Sequence, residues 1–366
     1  MFHNIRILSK RHSVRVLTFY ENDRERDLLG AVRAICDSVT AVRRVPDFRP
    51  HWLSVLPFFV REFSTPEMHR AVDAALQSTK IDVIQCEYLQ MAQFRRRGVF
   101  SVLTAHEALS KNAAEAFTRE NNPTEKLRYF YRWMQVLRYE TLQSHKFDRV
   151  ITMTPEDAGY LRSYSPNADV RPIPIGVDLE EFDPFPDAFD HPLIVLFVGN
   201  FRHTPNVEAA RFLIRAVAPH FPGIRFVIPG SHLPQDSDFN QHAANVLFPG
   251  YIADTRELYR RPNTIVAAPL FSGTGQRVKL LEAFSMACPV ITTTVGAMGF
   301  PITNGVEALI ANTADEFVVA LRSLVESVDQ RRKLGQRGRT MIVERFNWDR
   351  IAEDLLSVVE EAAVSH

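Results

Sequence analysis

Short runs rich in Val, Ile, Leu and aromatics alternate with longer helical patterns from one end of the chain to the other. In the first half the strand-like runs are residues 14–20, 81–88, 100–106 and 149–154. None alternates cleanly between apolar and polar positions, which predicts strands buried on both faces of a parallel sheet. Helical periodicity fills the intervals, most plainly over 66–77 and 124–145. The second half repeats the alternation. Strands are predicted at 193–199, 225–230, 246–252, 264–269 and 289–296, and helices at 206–218, 278–287 and 314–328. Asp315 and Glu316 fall in the first turn of the last helix, where its dipole favours acids. Between the halves, Pro172, Pro174, Pro184, Pro186 and Pro192 read as an extended connector. Repeated βα units on both sides of it predict two doubly wound, parallel-sheet domains. The boundaries are 1–172 for the first domain, 173–192 for the linker and 193–345 for the second domain. Residues 346–366 form a closing helix with Trp348, Ile351, Leu355, Leu356 and Val359 on one side. That helix either returns to the first domain or covers the sheet of the second.

Composition narrows the class. The 366 residues carry 43 Lys+Arg against 43 Asp+Glu, a balance that gives no electrostatic footprint for coating nucleic acid. With 46% hydrophobic residues the chain is globular. Cys36, Cys86 and Cys288 are far apart and odd in number, so neither a disulfide framework nor a metal knuckle is expected, and a reducing cytoplasm is the expected compartment. No apolar run approaches the ~20 residues that span a bilayer.

The densest chemistry lies between Ala267 and Phe300. After a strand ending at Pro269 come Ser272, Gly273, Thr274 and Gly275, then a helix from Gln276. Glycines permit close backbone approach, and the amides at a helix start attract anions. Arg277 and Lys279 place positive charge in that first turn, against the helix dipole, which a bound diphosphate would offset. Glu282, further along, can accept from a ribose diol. The plainer reading is a βα turn with surface charges; the combination favours a nucleotide site.

The stretch GTGQRVKLLEAFSMACPVITTTVGAMGF (273–300) resembles the donor-binding motif of retaining glycosyltransferases of family 4, which have the GT-B fold. So do FVGNFRHTPN (197–206), PIGVD (174–178) with Phe182, and FNW (346–348) before the last helix. The resemblance covers nearly the whole chain in order. It implies two Rossmann-like domains facing across a cleft, with the nucleotide-sugar donor (a UDP- or GDP-sugar) on the C-terminal domain. The acceptor, a glycan, lipid-linked or small-molecule compound, belongs to the N-terminal domain. The implied reaction retains configuration and uses no metal and no cofactor, the nucleotide sugar being a substrate. The implied donor-binding residues are Gly199, Arg202, Gly273, Thr274, Gly275, Gln276, Val278 and Glu282. The implied catalytic residues are Arg277, Lys279 and His106, which closes the strand in SVLTAHE; Glu107 is a second choice. Thr274 stands where many members carry a glutamate, and Arg202 and His203 where many carry a basic pair. Family members usually open with a strand and a glycine-rich loop before a helix like that over residues 2–10, so either a start codon assigned too late or an N-terminal sheet lacking one strand is expected.

Weaker signals were weighed against plain structure. Asp236 and Asp238 form an Asp-x-Asp but are expected to be solvated loop carboxylates. The aromatic run HWLSVLPFFVREF (51–63) is expected to pack inside, with an acceptor cleft or contact with the inner face of the membrane as alternatives. Arg95–Arg97 and Arg331–Lys333 are expected on solvated faces. Two further readings stand beside the transferase: a nucleotide-sugar epimerase of the same architecture, and a non-catalytic glycosyltransferase-like binding subunit.

Overall fold

The computed structural model describes residues 1–45, 54–184, 191–236, 239, 243–261 and 263–361. The chain forms two compact units. One comprises Met1–Pro174 and the chain from Ile351 onward; the other is Ile175–Arg350. Every strand pairing in both is parallel.

In the first unit β1 (Arg15–Tyr20) pairs with β2 (Ser38–Arg43). A separate sheet holds β3 (Val83–Glu87), β4 (Phe100–Ala105), β5 (Arg149–Thr152) and β6 (Val170–Pro172), in that order. All six residues of β4 are buried, as expected of a central strand covered on both faces. None of β1 is, although its sequence is as apolar. Beyond its ladder with β2, side chains tie β1 to its surroundings. The Arg15 guanidinium donates to the Ser78 and Thr79 hydroxyls, and Phe19 lies 6.1 Å from Phe94. The opening helix α1 spans Phe2–Leu8, followed by α2 (Asp23–Arg33), α3 (Phe58–Arg61), α4 (Pro66–Ser78), α5 (Leu109–Arg119), α6 (Pro123–Ser144) and α7 (Pro155–Tyr164). The sequence reading passed over α2, α5 and α7. Three of these helices start at proline directly after a capping side chain (Thr65, Asn122, Thr154), whose oxygen accepts first-turn amides. Buried Glu140 caps α5 from outside, accepting from the Leu109 and Ser110 amides.

The second unit is built on six strands in the order β11-β9-β7-β12-β13-β14: β7 (Ile194–Leu196), β9 (Arg225–Val227), β11 (Val246–Leu247), β12 (Thr264–Ala268), β13 (Val290–Thr292) and β14 (Leu309–Ile310). Its helices are α8 (Thr204–Phe212), α9 (Arg256–Tyr259), α10 (Val278–Ser285), α11 (Ala314–Glu326) and α12 (Val328–Arg345). Strand order reverses between β7 and β12, the place where open α/β sheets bind ligands. Beyond β7, the two-residue strand β8 (Gly199–Asn200) pairs with β10 (Gly230–Ser231). The helix predicted over 206–218 is α only to Phe212, then continues as a π turn over Leu213–Val217. Pro219 explains the break, since it has no N–H for the α pattern and its ring crowds the preceding turn.

Of the two basic clusters expected on solvated faces, Arg97 and Lys333 are exposed, Arg95, Arg96 and Arg332 are half-buried, and Arg331 is buried. Arg331 is 4% exposed and its guanidinium caps α11 by donating to the Leu324 and Val325 carbonyls. Arg95 donates to Ser101 Oγ, and Arg96 pairs with Asp73 at 2.7 Å.

The closing helix α13 (Trp348–Glu360) joins two motifs. A Cβ on Gly176 would stand 2.6 Å from the Trp348 ring, and the Val177 amide donates to the Phe346 carbonyl. From Ile351 the helix packs with the first unit. Leu355, Leu356 and Val358 are buried, rather than the Val359 of the sequence reading, which is only half-buried. Beyond the helix, Glu361 accepts from Arg149 and Arg171.

Gly230 has no room for a side chain, because a Cβ there would stand 1.8 Å from the Gly199 carbonyl oxygen. Gly230→Ala should therefore destabilise the second unit by about 3 kcal/mol, at the upper end for overpacking, read from urea unfolding. A change below about 0.5 kcal/mol would show that the β8–β10 contact yields freely.

Candidate functional site

Two loops leave the switch point. One follows β7 and enters α8; the other follows β12 and enters α10. In the second loop Gly273 and Gly275 have φ of +95° and +75°, left-handed values that a side chain would oppose. Those turns aim three carbonyls at one point, and the Arg277 guanidinium fills it. It donates to Thr274 O and Gly273 O at 2.7 Å each and to Ser272 O at 3.2 Å. Arg277, expected to reach a diphosphate, closes its own loop. Thr274 and Gln276 are buried within it. Gln276 Oε1 accepts from the Ile175 amide at 2.6 Å, which fastens the PIGVD segment to the loop, while its Nε2 is buried with no partner among the described residues.

Lys279 points toward the other loop. Its ammonium donates to Asn206 Oδ1 at 2.6 Å and lies 4.3 Å from the centre of the Phe197 ring. Asn206 in turn donates from Nδ2 to the Asn200 carbonyl at 2.8 Å, so one side chain links the lysine to the turn after β8. Loss of water, then the nearby Arg277 charge, pull Lys279 down to about 7, against a smaller opposite pull from Glu282. Glu282, one turn later, is pushed up to about 7 by burial, opposed by a hydrogen bond from Tyr259 and by Lys279. Tyr259 is buried, and its own hydroxyl is held well above the usual range by that burial and by Glu282.

Within the second unit the structure thus gathers Gly199, Gly273, Thr274, Gly275, Gln276, Arg277, Lys279 and Glu282 around the ends of β7 and β12. Val278 sits exposed at the start of α10, and the Arg202 side chain is exposed at the tip of the first loop. His106 belongs to the first unit. There Nε2 lies 2.7 Å from Glu87 Oε2 and the ring stacks on Tyr88; Glu107 accepts from Asn112 Nδ2.

Sequence reading missed Asn206, Tyr259 and Glu87. Asn206 lay inside a quoted motif at a helix start; within their own units the fold brings Tyr259 to Glu282 and Glu87 to His106, and neither left a local signal. Asp236 pairs with Arg211 while its side chain stays 39% exposed, and Asp238 lies outside the described residues. Among the described residues no three His, Cys, Asp or Glu side chains are grouped to hold a metal. No helix among them is long and apolar enough to cross a membrane.

Comparison with known proteins agrees with this division. Residues 4–181 match the model for "Glycosyltransferase Family 4" and residues 192–327 the model for "Glycosyl transferases group 1". The D-inositol 3-phosphate glycosyltransferase of Paenarthrobacter aurescens is 28% identical over 58% of this chain and 57% of its own. Sucrose-phosphate synthase from Thermosynechococcus elongatus superposes with a TM-score of 0.72 at 19% identity, over 96% of this chain and all of that one. Anabaena HepE, solved with UDP and glucose, gives 0.72 at 16% identity over 98% and 95%. With both halves matched by glycosyltransferase models and the α/β architecture shared with these enzymes, the chain is a glycosyltransferase of the GT-B fold.

Proposed function

We propose that the chain is a retaining glycosyltransferase of family 4. It moves a hexose from a UDP- or GDP-sugar to a glycan, lipid-linked or small-molecule acceptor, without a metal ion. One observation carries the donor reading. Lys279 holds a desolvated positive charge at the switch point, beside the amides that open α10 and one helical turn from a carboxylate. A diphosphate relieves that charge, and Glu282 accepts from the ribose hydroxyls. HepE, with its bound UDP, supports the nucleotide class.

In this reading the donor's leaving diphosphate collects negative charge as the sugar departs. Lys279 and the amide ends stabilise it without moving, which is worth roughly a few kcal/mol per donor. Arg277 acts through the loop it closes. His106 contacts the transferred sugar or the acceptor from the first unit. No carboxylate of the site is placed as an evident nucleophile, which favours attack on the face the diphosphate leaves. Proton NMR of the product's anomeric signal tests retention.

Binding of UDP or GDP should peak near pH 7. Above about 7 Lys279 loses its proton and its attraction for phosphate; below about 7 Glu282 gains one and can no longer accept from both ribose hydroxyls. Calorimetry across pH 5.5–9 should show the alkaline limb vanish in Lys279→Met and the acid limb in Glu282→Gln. Limbs unchanged in both variants would contradict the assignment. Arg277→Lys keeps the charge but not the fork, so it should lower both melting temperature and nucleotide affinity. Unchanged affinity would mean that Arg277 serves only as a charge.

Contact with a membrane surface is supported by α6. Leu127, Tyr131 and Leu142 form an exposed stripe along it, with Leu127 at 69%, and Phe130 beside them; Arg132 and Arg138 are exposed on the same helix. The Tyr131 hydroxyl donates to the Ser54 carbonyl, which sets exposed Val55, Leu56 and Phe58 alongside. The aromatic run thus divides: Val60 is buried, these three are not, and residues 51–53 lie outside the described residues. Sedimentation with phosphatidylglycerol vesicles should capture the protein at low salt, and Leu127→Asp with Tyr131→Asp should release it. Capture unaffected by that pair would remove α6 from the contact.

A further inference from the structure

The carboxyl ends of β3 and β4 bring Glu87 and His106 together. Glu87 uses both oxygens: Oε2 meets His106 Nε2 at 2.7 Å, and Oε1 accepts from Gln85 Nε2 at 2.8 Å and from Thr104 Oγ1 at 3.4 Å. Gln85 Nε2 also reaches Thr104 Oγ1 at 3.2 Å, so the carboxylate is held from two strands. An ionised carboxylate has no proton to give, so His106 Nε2 is the donor. In the neutral ring the lone pair then sits on Nδ1. The second restraint on the ring is Tyr88, which stacks on the imidazole at 4.0 Å between centroids and 24° between planes. Tyr88 holds that place at φ 70°, a left-handed backbone that bulky residues seldom adopt and that recurs where function requires it.

We propose that Glu87 is the positioning residue of the first unit. By fixing His106 as the Nε2–H tautomer against Tyr88, it makes Nδ1 the atom that receives a substrate hydroxyl. The ligand class is a sugar hydroxyl, of the transferred hexose or of the acceptor, held by a neutral nitrogen. No proton need leave the hydroxyl for this role; the imidazole orients it. The inference rests on the reading of His106 as the residue that meets the sugar, and specifies which nitrogen does so and why.

The test combines ring-nitrogen NMR of His106 at a pH where it is neutral with turnover of a UDP- or GDP-hexose, chosen by calorimetry and followed as hydrolysis. The parent should show a protonated Nε2. Glu87→Leu should mix the tautomers and lower kcat tenfold or more, with nucleotide affinity within twofold of the parent. Glu87→Gln, which keeps an acceptor oxygen, should hold the tautomer and lose less. A parent ring protonated at Nδ1 overturns the proposal. So does a Glu87→Leu protein that turns over within twofold of the parent while His106→Ala is inactive. Parent-like turnover in His106→Ala would instead remove the reading of His106 and the inference with it, leaving the donor site of the second unit untouched.

Discussion

A lysine ammonium stripped of most of its water is the constraint around which the loops of the second unit are arranged. Desolvation alone would favour the neutral amine. The Phe197 ring face, the Asn206 side-chain oxygen and Glu282 one turn along the helix oppose that pull. Each of these is fixed by something else. Phe197 is buried in the core directly after β7, Asn206 is tethered to the turn beyond it, and Glu282 leans on a buried tyrosine hydroxyl. The site is therefore a property of the sheet's switch point. Strand order decides that two loops meet there, and the side chains settle the charge between them.

What the sequence made legible follows the same physics. Strands buried on both faces, such as β4 and β12, are continuous apolar runs and were found. β2, with its alternating Ser38–Arg43 pattern and partial burial, was not. Arg331–Lys333, in α12, read as a solvated basic cluster because arginines look like surface residues in one dimension. Arg331 is buried all the same, since its guanidinium meets the carbonyl ends of the preceding helix. The glycine loop and its charges were legible as a group, because spacing on a helix start is local. Their division of labour was not. That Arg277 turns inward while Lys279 turns toward Asn206 depends on left-handed backbone at two glycines and on a partner 73 residues away.

The two units solve a similar problem with different chemistry. Both hold functional side chains just past the carboxyl ends of parallel strands. In the second, a cation is held among a ring face, an amide oxygen and an acid. In the first, an imidazole is held between a carboxylate and a phenol ring.

The inward turn of Arg277 has a consequence for affinity. A loop whose carbonyls are already gathered by a rigid fork has given up its conformational entropy during folding. A ligand arriving there does not have to order the backbone again. For a ligand bound at this loop the ordering cost falls on folding and not on binding, which favours affinity.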